Sequence, residues 1–162
     1  MSDEFEDMAR QLGALLAQRR WLLTTAESCT GGLVAGAVTA IAGSSAWFDR
    51  GFVTYSNEAK VELLAVSPLT LHAHGAVSEE TVREMLAGAL LKSVAHVALA
   101  VSGIAGPGGG TPDKPVGTVC FGWQRRGYPA TCVTRHFDGD RQAVRAAAVR
   151  VALEGVSGLA AA

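Results

Sequence analysis

Two stretches of this 162-residue chain combine residue types that could do chemistry. In "TTAESCTGGLVAGAV", residues 24–38, an apolar strand-like run ends at Ser28 and a small-residue helical run follows Thr30, Gly31 and Gly32. With Thr30 as the helix cap, the two glycines fill its first positions, at a cost of up to about 1 kcal/mol each relative to alanine. They leave bare backbone N–H groups at the positive end of a helix dipole, suited to an anion or a developing oxyanion. Ser28 then stands at a strand's carboxyl end, where open α/β sheets place ligands, as a candidate nucleophile. The same residues also suit a purely structural turn, with Ser28 and Thr30 capping and the glycines allowing close packing. Cys29 is a rival nucleophile, but no histidine is obviously directed at it, and it reads as a small buried residue.

The second stretch is "VTYSNEAKVELL", residues 53–64. With Asn57 as cap, Lys60 falls in the first turn of a helix, where a cation opposes the dipole by about 0.3–1 kcal/mol. To act as a base near neutrality its pKa must fall by about 3 from about 10.4, at a cost of about 4 kcal/mol, which only burial can supply. Alternatively Lys60 stays charged and acidifies Tyr55, which takes the serine proton. A solvated surface lysine beside a core tyrosine is the plain structural alternative.

A third stretch, "SGIAGPGGGTPDKPVG", has the flexibility to wrap a phosphate or ribose. It is no P-loop, because no Gly-Lys-Ser/Thr closes it, and no helix opens after it to receive a pyrophosphate. Ser102 at its start could donate a hydrogen bond, and Lys114 could neutralise a phosphate. His72 and His74 at i, i+2 point apart on a helix and lack a third ligand, so no metal and no cofactor is assigned.

These residues need a frame. Apolar positions recur at helical spacing from Asp3 to Arg20. "RWLLTTA" and "RGFVTYS" read as strands, with helices to about Ala40 and over about 58–64 after them, the latter capped by Ser56 or Asn57. "SPLTLHAHG" is a short helical or turn segment, and Ser78-Glu79-Glu80 opens a longer helix. "HVALAVS" is a buried strand, "VGTVCFGWQ" and "ATCVTRHF" form a hairpin around "RRGYP", and a helix capped by Asp138 or Asp140 closes the chain. The order α-β-α-β-α-α-β-β-β-α predicts a three-layer α/β/α sandwich with a mixed, mostly parallel sheet.

Composition narrows the function classes. With 49% hydrophobic and 18% charged residues and a net charge of −1, the chain reads as one globular domain over 1–162. It offers no basic surface for nucleic acid and no polybasic membrane anchor. No apolar run is long enough to span a bilayer, and the acidic start "MSDEFEDMAR" is unlike an export signal. Three cysteines without metal-type spacing fit reduced thiols in a cytoplasm. The apolar segments 69–76 and 156–162 exceed what one core needs and suggest a homo-oligomer.

Five motifs, "TTAESCTGG", "IAGSSAWFDRGFVTYSNEAK", "HGAVSEE", "SGIAGPGGGTPDKPVGTV" and "FDGDRQAVR", together resemble the CinA carboxy-terminal domain family, and within it the stand-alone nicotinamide-nucleotide amidases. They occur in the family's order over about residues 20–150. The resemblance implies hydrolysis of the carboxamide of nicotinamide mononucleotide to nicotinate mononucleotide and ammonia, in pyridine-nucleotide salvage, by a serine mechanism without metal. It implies catalytic roles for Ser28, Tyr55 and Lys60; joined with the reading of the serine turn, it leaves the backbone near Thr30, Gly31 and Gly32 to hold the oxyanion. Ribose and phosphate would meet the loop around Gly106, Gly108 and Gly109, together with Ser44, Ser45, Lys114 or Arg141. Ser102 stands where many relatives carry threonine, which preserves the hydroxyl. The amino-terminal domain of full-length relatives has no counterpart in the matched motifs, so its pyrophosphatase activity is not expected. A nucleotide-sensing module without catalysis would use the same glycine loops but would not need a lysine at a helix start. Hydrolysis of a different amide is a third possibility.

Overall fold

Hydrophobic periodicity and capping residues divide the chain into six helices and five strands, described over residues 2–162 by a computed structural model. Helix α1 (Asp3–Arg19) is capped by Ser2, whose side chain accepts from the Phe5 N–H, and carries Asp3, Glu4 and Glu6 in its first turn. Strand β1 (Leu23–Glu27) is buried at all five positions. Helix α2 (Leu33–Thr39), a single 3-10 turn (Ser44–Ala46) and strand β2 (Phe48–Val53) follow. Next come three helices, α3 (Asn57–Leu64), α4 (Pro68–His74, with Pro68 in its first turn) and α5 (Glu79–Leu91). Strands β3 (Val97–Gly103), β4 (Thr118–Arg125) and β5 (Thr131–His136) lead into the closing helix α6 (Arg141–Ala161), capped by Asp140.

The sheet order is β2-β1-β3-β4-β5. β1 is parallel to both β2 and β3, while β4 is antiparallel to β3 and to β5. Four of the five strands therefore run in one direction. The crossover from β1 to β2 and that from β2 back past β1 to β3 travel in opposite directions, so right-handed connections place their helices on opposite faces. Helices α1, α2 and α6 cover one face and α3, α4 and α5 the other, giving the expected three layers.

Alternation along β3 and β4 sorts the core. Val97, Leu99 and Val101, with Val119, Phe121 and Trp123, face α6; Ala98, Ala100 and Cys120 face α5. Fully burying each large apolar side chain contributes about 1.5–3 kcal/mol. The α5 face is lined by small residues, and its helices press close: a β-carbon on Gly88 would lie 1.9 Å from the Leu64 carbonyl oxygen. The segment after residue 156 is absorbed by the fold itself, since Val156 and Ala160 are buried. In segment 69–76, by contrast, Leu69 is exposed.

β2 begins two residues earlier than the sequence pattern suggests and ends at Val53, which leaves Tyr55 and Ser56 beyond the sheet. Ser56 caps α3 by accepting from the Ala59 N–H, so Asn57 is already helical and Lys60 lies one position deeper than an Asn57 cap would put it. No helix is long and apolar enough to cross a membrane among the described residues.

Candidate active site

The strand order reverses between β1 and β3, and the crevice at their carboxyl ends is where an open α/β sheet binds ligands. A cleft of about 270 Å³ lies there, between Ser28 after β1 and Ser102–Gly103 at the end of β3. Its remaining walls are Tyr55 and Lys60, the segment 76–77 before α5, the glycine loop and Arg141. Among the described residues no carboxylate lines it, and Lys60 and Arg141 are its two cationic side chains.

Lys60 emerges from α3 and is 1% exposed. Its Nζ lies 3.0 Å from Ser28 Oγ, 2.8 Å from the Thr54 carbonyl and 3.4 Å from the Tyr55 carbonyl. Burial lowers its pKa to about 8. This geometry suits either protonation state. A charged Lys60 donates to all three oxygens; a neutral one donates to the two carbonyls and keeps a lone pair for the Ser28 hydroxyl hydrogen. Burial thus supplies what the helix dipole could not.

The turn that carries Ser28 is held by groups that the sequence pattern did not single out. Glu27, the last residue of β1, is fully buried, and its carboxylate accepts from Thr30 Oγ1 (2.5 Å), Gly32 N (3.2 Å), Val34 N (2.9 Å) and Ala35 N (3.0 Å). It satisfies the orphan donors at the start of α2, a helix whose own cap, Gly32, has no side chain. From α6, Arg145 Nε donates to the Cys29 carbonyl (3.0 Å) and Nη2 to that of Thr30 (3.3 Å). The Ser28 N–H is fixed to Val101 O at 3.0 Å. A lone acid closing a buried strand just before a helix is the sequence signal that could have pointed to Glu27. Nothing comparable marks Arg145, which arrives from 116 residues away.

For Gly31 and Gly32, the expected role of the backbone N–H groups in an oxyanion site is corrected by these bonds. The Thr30 hydroxyl and the Gly32 N–H are spent on Glu27, and the Gly31 N–H donates to the Ser28 carbonyl at 3.0 Å. The glycines are needed instead for their backbone, with φ of 58° at Gly31 and 102° at Gly32. Because the Ser28 carbonyl points into the turn, the trans peptide aims the Cys29 N–H the opposite way. Among the described residues that N–H donates to no protein acceptor, and Cys29 lines the cleft. The Cys29 thiol is itself pushed up to about 11 by burial, which keeps it protonated and a poor rival to the hydroxyl.

The other residues divide clearly. Tyr55 places its main-chain carbonyl beside Ser28 and Lys60 but sends its ring outward, 61% exposed, where Arg141 Nη2 donates to its phenol oxygen at 3.0 Å. Ser102 is buried and donates to the Ala76 carbonyl at 2.8 Å, tying β3 to the segment before α5. Gly106, Gly108 and Gly109 line the cleft, and Arg141 Nη1 donates to Gly106 O at 2.9 Å. Lys114 lies in the neighbouring cavity, bonded to the His74 carbonyl at 2.5 Å, and does not reach the cleft. Ser44 and Ser45 are also not brought to Ser28. They precede β2, whose first residue pairs with Leu23, so the length of β1, roughly 16 Å, separates them from the serine turn.

A mixed α/β sandwich with a serine and a buried lysine at its topological switch point belongs to the class of α/β proteins whose site is built on strand ends. The chain belongs to the CinA C-terminal domain family, whose model matches residues 5–159. It is 55% identical over 148 residues to the nicotinamide-nucleotide amidohydrolase PncC of Enterobacter agglomerans, covering 91% of this chain and 90% of that one. It is also 57% identical over 152 residues to a putative competence-damage inducible protein of Symbiobacterium thermophilum, covering 89% of this chain but 35% of that longer one. Among solved structures, the competence/damage inducible protein CihA from Agrobacterium tumefaciens superposes with a TM-score of 0.94 at 47% identity, covering 98% of this chain and 97% of that one.

Proposed function

We propose that this chain hydrolyses the carboxamide of nicotinamide mononucleotide to nicotinate mononucleotide and ammonia, with Ser28 as nucleophile and Lys60 as its base. The observation that carries the reading is the 3.0 Å contact between Ser28 Oγ and a lysine whose burial favours the neutral amine. The amidohydrolase name of the Enterobacter relative, which matches this chain nearly end to end, supplies the substrate class.

Neutral Lys60 accepts the Ser28 hydroxyl proton as Oγ bonds to the carboxamide carbon. The carbonyl oxygen, now an oxyanion, accepts from the Cys29 N–H. Lys60 returns the proton to the amide nitrogen, the C–N bond breaks, and ammonia leaves an ester on Ser28. A water molecule, giving a proton to Lys60, attacks that ester. Collapse releases the carboxylic acid, which loses its proton to solvent to give the carboxylate, and Ser28 recovers its hydrogen from Lys60. The Thr54 and Tyr55 carbonyls hold the amine in place through both halves. Gly106, Gly108 and Gly109 admit the ribose, Arg141 meets the phosphate, and Ser102 fixes the wall opposite Ser28.

The test is ammonia release from nicotinamide mononucleotide by the pure protein and by Ser28→Ala, with binding measured in parallel by calorimetry. The wild type releases ammonia; the variant binds and does not. Binding without release by the wild type would favour a nucleotide-sensing module. Faster release from other amides would move the substrate assignment.

A further inference from the structure

Arg141 spends its two terminal nitrogens on groups that a substrate would find in its way. Nη1 donates to Gly106 O at 2.9 Å and Nη2 to the Tyr55 phenol oxygen at 3.0 Å. These bonds link the start of α6, the glycine loop and the segment after β2 across the mouth of the cleft. The Tyr55 ring rests on little else, being 61% exposed, while its backbone is anchored beside Lys60. An anionic group entering here meets no competing carboxylate and one accessible cation, Arg141, because Lys60 is buried. A phosphate dianion is a far better bidentate partner for guanidinium than a phenol and a carbonyl.

We propose that Arg141 and Tyr55 together select for a phosphorylated substrate: the phosphate takes the Arg141 guanidinium, the phenol is displaced, and the freed Tyr55 ring turns over the bound substrate. Resting on the reading above, this assigns the phosphate a part in turnover as well as in affinity. The binding energy of a remote group is used to order the site around the reacting one. Removing the phosphate therefore lowers kcat, and supplying it separately restores part of the loss.

Two measurements test this, and the first needs no catalysis. The chain has two tyrosines, so incorporation of 3-fluorotyrosine gives two ¹⁹F lines, and Tyr55→Phe identifies the line of residue 55. Titration with inorganic phosphite shifts that line in the wild type and leaves it in place in Arg141→Gln. The second measurement uses nicotinamide riboside as a substrate that lacks the phosphate. Added phosphite raises its turnover by about tenfold or more in the wild type, and both Arg141→Gln and Tyr55→Phe reduce that activation. A Tyr55 line that phosphite does not move, or moves equally in Arg141→Gln, overturns the proposal, as does a riboside rate that phosphite leaves unchanged or only inhibits. If the wild type releases no ammonia from the mononucleotide, the amidase reading fails, and the fluorine titration still decides whether an anion displaces Tyr55.

Discussion

The two sides of the cleft are built in opposite ways. On the serine side, Glu27 and Arg145 take up six backbone and side-chain groups of the turn and the start of α2, and Lys60 is enclosed beside it. On the glycine side, the Tyr55 phenol and the loop around Gly106–Gly109 are tied chiefly through Arg141. Attack on a carboxamide tolerates little displacement of the nucleophile, so the reacting groups sit where polar contacts are saturated. Recognition of a nucleotide needs entry and exit, so its groups sit where few contacts must break. Changes to the groups that brace the serine turn should therefore cost both stability and rate, and changes on the glycine side mainly selectivity.

The sharpest test of that contrast is Glu27→Ala. Removing a buried carboxylate that accepts four hydrogen bonds should cost about 3 kcal/mol or more and most of the turnover, seen as a lower denaturant midpoint with an unchanged m value. Lys60→Met separates rate from stability. It should lower kcat by about 10³-fold or more, yet raise Tm at pH 7, because the wild type must bury an ammonium there. The sign follows from linkage. Lys60 has a lower pKa folded than unfolded, so the unfolded chain binds more protons between about 8 and the ordinary 10.5. Wild-type stability rises with pH through that window, and the advantage of Lys60→Met disappears across it.

Gly31→Ala should cost about 1–2 kcal/mol, because the new β-carbon would be held at a φ of 58° and lie 3.3 Å from Arg145 Nη2. Ser102→Ala leaves the Ala76 carbonyl without its donor and should cost about 1–2 kcal/mol, with a smaller effect on kcat than on KM. The double change Ser44→Ala, Ser45→Ala lies at the other end of the sheet and should leave kcat/KM unaltered. A large loss there would mean that the site extends beyond this chain's own cleft.

The layered architecture was readable because each crossover announces itself through periodicity and caps: Ser56, Ser78 and Asp140 are all N-caps in the structure. That Ser28 and Lys60 could face each other was readable from residue type and from the anomaly of a cation early in a helix. Electrostatic neighbours far apart in sequence were not. Nothing in "RQAVRAAAVR" distinguishes Arg145, which braces the serine turn, from Arg150, which pairs with Glu4 on the surface. Ser44 and Ser45 were misplaced because short range along the chain does not reveal which end of a strand a residue occupies, and β2 runs parallel to β1. The glycines of the serine turn were correctly marked as special but for the wrong property, since their left-handed φ values matter and their N–H groups are already engaged.

The pH dependence of kcat/KM tests most directly whether a buried neutral amine at residue 60 activates Ser28. The profile should rise with unit slope and level off with an apparent pKa of about 8, and Tyr55→Phe should leave that midpoint in place. A flat profile between pH 7 and 9, or a midpoint that moves when the Tyr55 phenol is removed, would contradict the assignment of the proton to Lys60.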